Sequence, residues 1–407
     1  MTVTIDDIRA AADTIKKAVV RTPTIRSGPL SDLIGADVFL KLENLQYTGS
    51  FKDRGAFVKL SSLDQEHAKN GVIAVSAGNH AQGVAYHAKR LGIPATIVMP
   101  TSTPFTKINR TEALGARVLL FGDSVSACTP HAEEVMQAEG LTFVHPFDDP
   151  HIIAGQGTVG LEILEDVPDL DTLIAPIGGG GLIAGVATAL TAAKQPIDII
   201  GVEAALYPSM AQALKGGEAP SGGETIAEGI AIKQPGKLTL PIVKDLVDRV
   251  VTVDEMELED AVQTMVVSAK TLAEGAGAAP LAAMMAEREK YKAKKIVLVV
   301  SGANIDSRIL SSVLMRGLFR SGQMVRLRVS ISDAPGTLAK VTTQIGELGG
   351  NIVEIVHQRM FFDVPVKQAE ADVVLETRDS AHVEEIIDRL QAAGFPTSRL
   401  SGTAQAG

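Results

Sequence analysis

Five short segments carry residue types that could do chemistry. "YTGSFKDRGA" (47–56) sets Lys52 among turn-forming residues, directly after Phe51. Alone, Lys52 reads as a solvated loop lysine. "IGGGGLIAG" (177–185) runs four glycines, Gly178 to Gly181, into the apolar stretch opened by Leu182. Successive backbone N–H groups without side chains, followed by a helix N-terminus, would cradle a phosphate. Four glycines are costly in entropy for a mere turn. "SAGNHAQG" (76–83) lies between a strand-like run and a helix, so the backbone from Ser76 through Ala77, Gly78 and Asn79 to His80 could clamp a carboxylate. Asn79 adds a side-chain donor; His80 reads as a loop or capping histidine as readily as a catalytic one. "VSGAN" (300–304) ends a buried strand in Ser301, at a sheet edge where α/β proteins place ligands. "LAEGAGA" (272–278) suggests close packing around Glu274, which is either structural or near a ligand.

Two readings compete. Gly179, Gly181 and Ala184 fit a relaxed G-x-G-x-x-A, with Glu203 about 20 residues on, as in nicotinamide-dependent dehydrogenases. That reading leaves Lys52, Asn79 and Ser301 unexplained. A phosphate cradle, a carboxylate clamp, a hydroxyl and a lysine share one economical explanation, pyridoxal 5′-phosphate held as a Schiff base by Lys52.

The elements that must position these groups alternate. Strand-like "GVIAVSA", "IPATIVMP", "ARVLLFG" and "LTFVHP" are separated by helices over "HAQGVAYHAKRLG", "FTKINRTEALG" and "HAEEVMQAEG". The rhythm resumes with helix "AGQGTVGLEILEDV", strand "DTLIAPI", helix "LIAGVATALTAA" and strand "IDIIGVEA". A long helix over "MELEDAVQTMVVSAKTLAEGAG" then precedes strand "KKIVLVVSG", and residues 204–250 read as irregular. Such repetition implies an α/β fold, mostly parallel sheets with helices on both faces. Near residues 316–324 the style changes: "VRLRVSIS" alternates strictly, and a βαββαβ order follows, the ferredoxin-like pattern. Two domains are expected, 1–320 and 325–407.

Composition narrows the class. In 407 residues, 45% hydrophobic and 21% charged content is that of a soluble globular protein. A net charge of −10 argues against a general nucleic-acid binder. Cys128 is the only cysteine, so no intrachain disulfide or Cys-based zinc cluster forms, and a cytoplasmic location is expected. Cys128 itself reads as a small packed residue. The N-terminal stretch reads as an amphipathic helix rather than a signal peptide. The uncharged run 172–193 is long enough to span a bilayer, but Pro176 and the glycines make it a strand, a turn and a buried helix. No membrane or metal role is expected.

In order and spacing, "GSFKDRGA", "SAGNHAQG", "GGGGL" and "SGAN" resemble the fold-type-II pyridoxal-phosphate enzymes, the tryptophan-synthase-β-like group, over almost all of residues 1–320. "TIAEGIAIKQPGKLTLPIVKDLVDRVVTVDE" is similar to the threonine and serine ammonia-lyases and serine racemases, and the tail resembles an ACT domain, as in medium-length threonine ammonia-lyases. The resemblance implies a two-lobed fold, with a smaller lobe of about 50–150 inserted in the larger. Lys52 would be the Schiff-base lysine and Phe51 the neighbour of the cofactor ring. Asn79 would meet the phenolic oxygen, Gly178–Gly181 and Leu182 the phosphate, and Ser301 the pyridine nitrogen. The backbone of Ser76–His80 would take the substrate carboxylate. Implied activities are β-elimination from L-threonine or L-serine, with 3-hydroxyaspartate or serine racemisation as alternatives; a silent amino-acid sensor is a further one. The turn at Asp333–Gly336 and Asn351 would bind an effector, isoleucine or valine, in a homodimer or homotetramer. Two departures count against racemisation: Ala77 stands where those racemases carry a serine base, and Ser209 where their metal site, begun at Glu203, carries an aspartate.

Overall fold

The computed structural model describes residues 3–193, 195–217, 221–358 and 367–400. The chain divides into two compact units, Met1–Asp306 and Ser307–Gly407. The division lies ahead of the expected boundary at 316–324, because helix Ser307–Arg320 goes with the second unit.

The first unit holds two sheets. The larger runs β1 (Thr24–Arg26), β2 (Asp37–Leu42), β10 (Lys295–Val300), β7 (Thr172–Pro176), β8 (Asp198–Ala204), β9 (Arg249–Val253), in that spatial order. All its pairs are parallel except the edge pair β1–β2. The smaller is parallel throughout, ordered β5 (Arg117–Leu120), β4 (Ala95–Met99), β3 (Val72–Val75), β6 (Thr142–Phe143). Its strands fall in the sequence between β2 and β7 of the larger sheet. The central strands β7 and β4 are buried at every position, as parallel strands covered on both faces must be.

The chain leaves the larger sheet through helix Lys52–Ser61 and returns through helix Pro150–Asp166. These helices cross at a glycine pair: a Cβ on Gly155 would stand 2.6 Å from Gly55 Cα, and one on Gly55 2.9 Å from the Ile152 carbonyl. A buried ion cluster fastens the same crossing. Arg54 Nε and Nη2 each donate to Glu43 at 2.8 Å, while Nη1 and Nη2 donate to Glu162 at 2.7 and 2.8 Å. Lys41 donates to Glu162 at 2.5 Å and to the Thr22 carbonyl at 2.7 Å. Burial works against the charge on Arg54, and Glu43 and Glu162 together more than restore it.

Residues 172–193 resolve as expected into β7, the glycine turn and helix Gly181–Leu190, which is buried throughout. Among the described residues no helix is long and apolar enough to cross a membrane. Four expectations need correction. Residues 204–250 are not irregular throughout: they hold helices Ser209–Leu214 and Thr239–Leu246. Lys52 is not on a loop: it opens a helix, and Gly55 is there for the crossing rather than for a turn. The expected long helix over 256–277 is two, Glu255–Val267 and Gly275–Ala286, broken where Lys270 takes φ 54°. The helix expected from His131 begins at Val125, capped by Ser124 and carrying Pro130 inside it.

In the second unit β11 (Met324–Ser332), β12 (Asn351–Gln358), β13 (Gln368–Glu376) and β14 (Thr397–Arg399) form an antiparallel sheet ordered β12-β13-β11-β14. With helices Thr337–Glu347 and Ser380–Ala392 this is the ferredoxin-like order the alternation implied. Val325, Leu327, Val329 and Ile331 are buried, as their spacing required.

Candidate active site

Three of the candidate segments directly follow the C-terminal end of a strand, the edge where α/β sheets bind ligands. Ser301 follows β10, the glycine loop follows β7, and Ser76–His80 follow β3.

Lys52 sits in the first turn of its helix, with Phe51 at the N-cap. Its Nζ lies 5.1 Å from the Phe51 ring centroid and donates to the Pro146 carbonyl at 2.6 Å. Burial pushes the amine down to about 8, and the charge of Glu274 opposes that shift in part. Such a lysine can be both nucleophile and base near neutral pH.

From Lys52 a chain of contacts runs around and closes on itself. Phe147, next to Pro146, packs on the glycine loop: a Cβ on Gly179 would enter its ring at 2.3 Å, and one on Gly181 would meet its carbonyl at 2.9 Å. Gly180 takes φ 95°, and a Cβ there would stand 2.8 Å from Thr239 Oγ1. Helix Gly181–Leu190 has no side-chain cap, so its first N–H groups remain available to an anion. The Gly179 carbonyl is tied down by Thr239 Oγ1 at 2.6 Å and Gly236 N–H at 3.1 Å.

The loop's other neighbour is the short turn Glu228–Ile230: a Cβ on Gly178 would stand 3.2 Å from the Gly229 carbonyl. A Cβ on Gly229 would in turn stand 3.4 Å from Glu274 Oε1. Asn79 Nδ2 donates to Glu274 Oε1 at 2.6 Å, and Asn79 Oδ1 accepts from Asn304 at 2.7 Å. Burial raises Glu274 to about 7, against the Asn79 hydrogen bond. Glu274 N–H reaches the Gly302 carbonyl at 3.0 Å, and the Ser301 carbonyl accepts from Phe51 N–H at 3.0 Å. Ser301 is buried, and Phe51 returns the circuit to Lys52.

The structure therefore brings Lys52, Phe51, Asn79, the glycine loop and Ser301 to one place. Helix Asn79–Leu91 begins without a side-chain cap, and Ser76 Oγ accepts from Gly78 N–H at 3.2 Å. His80 is buried, with Nε2 2.8 Å from the Val144 carbonyl and its pKa pushed down to about 3, mainly by burial. It is a packing residue that fixes this helix. Glu203 lies elsewhere, accepting from Met210 and Ala211 N–H at 2.7 and 2.9 Å, where it caps a short helix. Cys128 is buried, as a packed residue should be.

Sequence reasoning missed Pro146, Phe147, Thr239 and the turn at Gly229. "HPFDD" after β6 was the available signal: another strand-to-helix junction, on the same kind of edge as the rest.

These residues suit a ligand with a phosphate and an aldehyde. The uncapped helix behind side-chain-free Gly178–Gly181 fits the first, and the recessed Lys52 amine of lowered pKa fits the second. A family profile described as pyridoxal-phosphate dependent enzyme matches residues 15–302. A protein of Thermotoga maritima named L-threonine ammonia-lyase is 45% identical over 395 residues, 97% of this chain and 98% of its own. One of Geobacter sulfurreducens with the same name is 44% identical, over 95% of this chain and 97% of its own. Among solved structures, the processed threonine deaminase isoform 2 of Solanum lycopersicum superposes with TM-score 0.72 at 38% identity, covering 76% of this chain and 91% of that one. Maize serine racemase gives 0.73 at 36% identity, covering 79% and 99%. With the matched profile spanning the whole circuit from Lys52 to Ser301, this chain belongs to the pyridoxal-phosphate dependent enzymes.

Proposed function

We propose that this chain is a threonine ammonia-lyase, converting L-threonine to 2-oxobutanoate and ammonia, and L-serine to pyruvate more slowly. The observation that carries the reading is the recessed Lys52 amine beside an uncapped glycine loop, in a chain aligned almost end to end with proteins named L-threonine ammonia-lyases.

Bound pyridoxal phosphate supplies the electron sink that makes the substrate's Cα proton acidic. Gly178–Gly181 and Leu182 would hold its phosphate, Asn79 its phenolic oxygen, Ser301 its ring nitrogen, and Phe51 would flank the ring. The backbone around Ser76–His80 would take the substrate carboxylate, with Ser76 N–H itself spent on the Val98 carbonyl and Gly78 N–H on Ser76 Oγ. Lys52 Nζ, unprotonated in an appreciable fraction near neutral pH, removes the Cα proton; the β-hydroxyl, protonated by the cofactor phosphate or a nearby acid, leaves as water, and hydrolysis then gives the 2-oxo acid and ammonia. Ser301 offers a neutral hydroxyl rather than a carboxylate, which favours expulsion of the hydroxyl over a long-lived carbanion. Ala77 has no proton to exchange, so Cα inversion lacks a second base. Release of 2-oxo acid from L-threonine and L-serine, with Lys52→Ala as control, tests the reading.

The second unit we read as an ACT-type regulatory module that binds isoleucine or valine near Asp333–Gly336 and Asn351. Feedback by such an effector suits isoleucine biosynthesis. We further read the enzyme as cytoplasmic, and as a homodimer or homotetramer.

A further inference from the structure

The two ends of the Asn79 amide differ in chemistry and hardly in shape, so something must decide which one faces the site. The decision starts at the Thr48 backbone carbonyl, which can only accept. Asn304 Nδ2 lies 2.7 Å from that oxygen and 2.7 Å from Asn79 Oδ1. The Asn304 nitrogen is thereby fixed as a donor, with both its N–H bonds committed. Asn79 must turn its oxygen toward Asn304 and its nitrogen toward Glu274 Oε1, 2.6 Å away. A reversed Asn79 would set nitrogen against nitrogen at Asn304 and, whenever the Glu274 carboxyl is ionised, oxygen against oxygen at Glu274. Glu274 is itself anchored, its N–H on the Gly302 carbonyl at 3.0 Å. A side chain at position 302 would displace it, since a Cβ there would lie 2.7 Å from Glu274 Oε1.

We propose that Thr48, Asn304, Asn79 and Glu274 form a one-way amide relay. In it Asn304 and Glu274 are positioning residues that hold the remaining Asn79 N–H as a hydrogen-bond donor to the cofactor's ring oxygen. The proposal rests on the reading of Asn79 as a cofactor ligand. One N–H of Asn79 is spent on Glu274, and the relay keeps the other from being exchanged for an oxygen lone pair.

The test is a double-variant cycle on the full-length protein. It has two readouts: the cofactor dissociation constant by equilibrium dialysis, and the pH midpoint of the bound cofactor's visible absorbance. Asn304→Asp keeps the volume and reverses the polarity, so Asn79 should turn over. Retention should weaken about two- to tenfold, the range for one lost hydrogen bond, and the midpoint should move in the same direction as in Asn79→Ala. In the double variant Asn304→Asp should add nothing, because it acts through Asn79. A merely structural Asn304 would give additive effects, which would overturn the relay, as would wild-type values in Asn304→Asp alone. If Asn79→Ala itself leaves both readouts unmoved, the assignment of Asn79 to the cofactor fails and the relay with it. Should Asn304→Asp not fold, Asn304→Ser runs the same cycle, its shorter side chain no longer reaching Asn79.

Discussion

Arg54→Met should destabilise the first unit by about 3–5 kcal/mol, the range for removing one partner of a buried ion pair. Arg54 makes five hydrogen bonds of 2.7 to 3.1 Å, to Glu43, Glu162 and Thr158. Glu162 keeps Lys41 when the guanidinium goes. Glu43 has no such direct partner: it is fully buried and retains the hydroxyl of Thr22, the amide of Gln46 and the more distant charge of Lys41. The cost is therefore mainly one poorly compensated carboxylate, a large part of the roughly 5–15 kcal/mol that a folded domain has. The four tyrosines, Tyr47, Tyr86, Tyr207 and Tyr291, all lie in this unit, and the chain has no tryptophan. Urea titration followed by tyrosine fluorescence thus reports this unit alone, and the midpoint should fall by about 1 M or more. With Arg54 gone, burial raises the Glu43 pKa above its unfolded value. The folded state then holds its proton longer, so the deficit should shrink as pH falls from 7 towards 5 and grow as it rises. Glu43→Gln in the Arg54→Met background should recover part of the loss. A loss below about 1 kcal/mol, or a second substitution that only adds to the damage, would refute the reasoning.

Four further outcomes are expected. Cofactor capture by the apoprotein needs unprotonated Lys52, so its rate should rise with pH and level off just above pH 8 instead of climbing towards the range of a free lysine; a rise continuing past pH 10 would contradict the lowered pKa. Glu274→Gln should move that break downward, since Glu274 holds the Lys52 pKa up. Gly179→Ala drives a methyl into the Phe147 ring, and overpacking of this kind costs about 1–3 kcal/mol; equilibrium dialysis should show weakened cofactor retention, and wild-type retention would argue against the loop as the phosphate cradle. Isoleucine or valine should change the threonine saturation curve, and Asn351→Ala, which loses its 3.0 Å bond to Glu376, should blunt the response; a curve indifferent to both amino acids would remove the regulatory reading.

The sequence made the alternation of strands and helices legible because parallel strands covered on both faces read as short apolar runs, as β4 and β7 do. Strict alternation in β11 likewise announced one buried face. The motif positions were legible too, since glycines and small polar residues at strand ends have few other uses. Tertiary demands hid the rest. Gly55 looked like a turn residue and is a helix crossing point. Residues 256–277 contain good helix formers, yet the chain breaks after Val267 so that Glu274 can reach Asn79. The helix expected from His131 starts six residues earlier, where Ser124 caps it, and Pro130 sits in its second turn. Arg54, Glu43, Glu162 and Lys41 lie up to 121 residues apart in sequence, and no local pattern links them.

The most direct test of the central claim is the rate of 2-oxobutanoate release from L-threonine by the purified protein, with Lys52→Ala alongside. The account predicts rapid release, faster than pyruvate from L-serine and abolished by the substitution. No 2-oxo acid from either substrate, or equal turnover in Lys52→Ala, would contradict it.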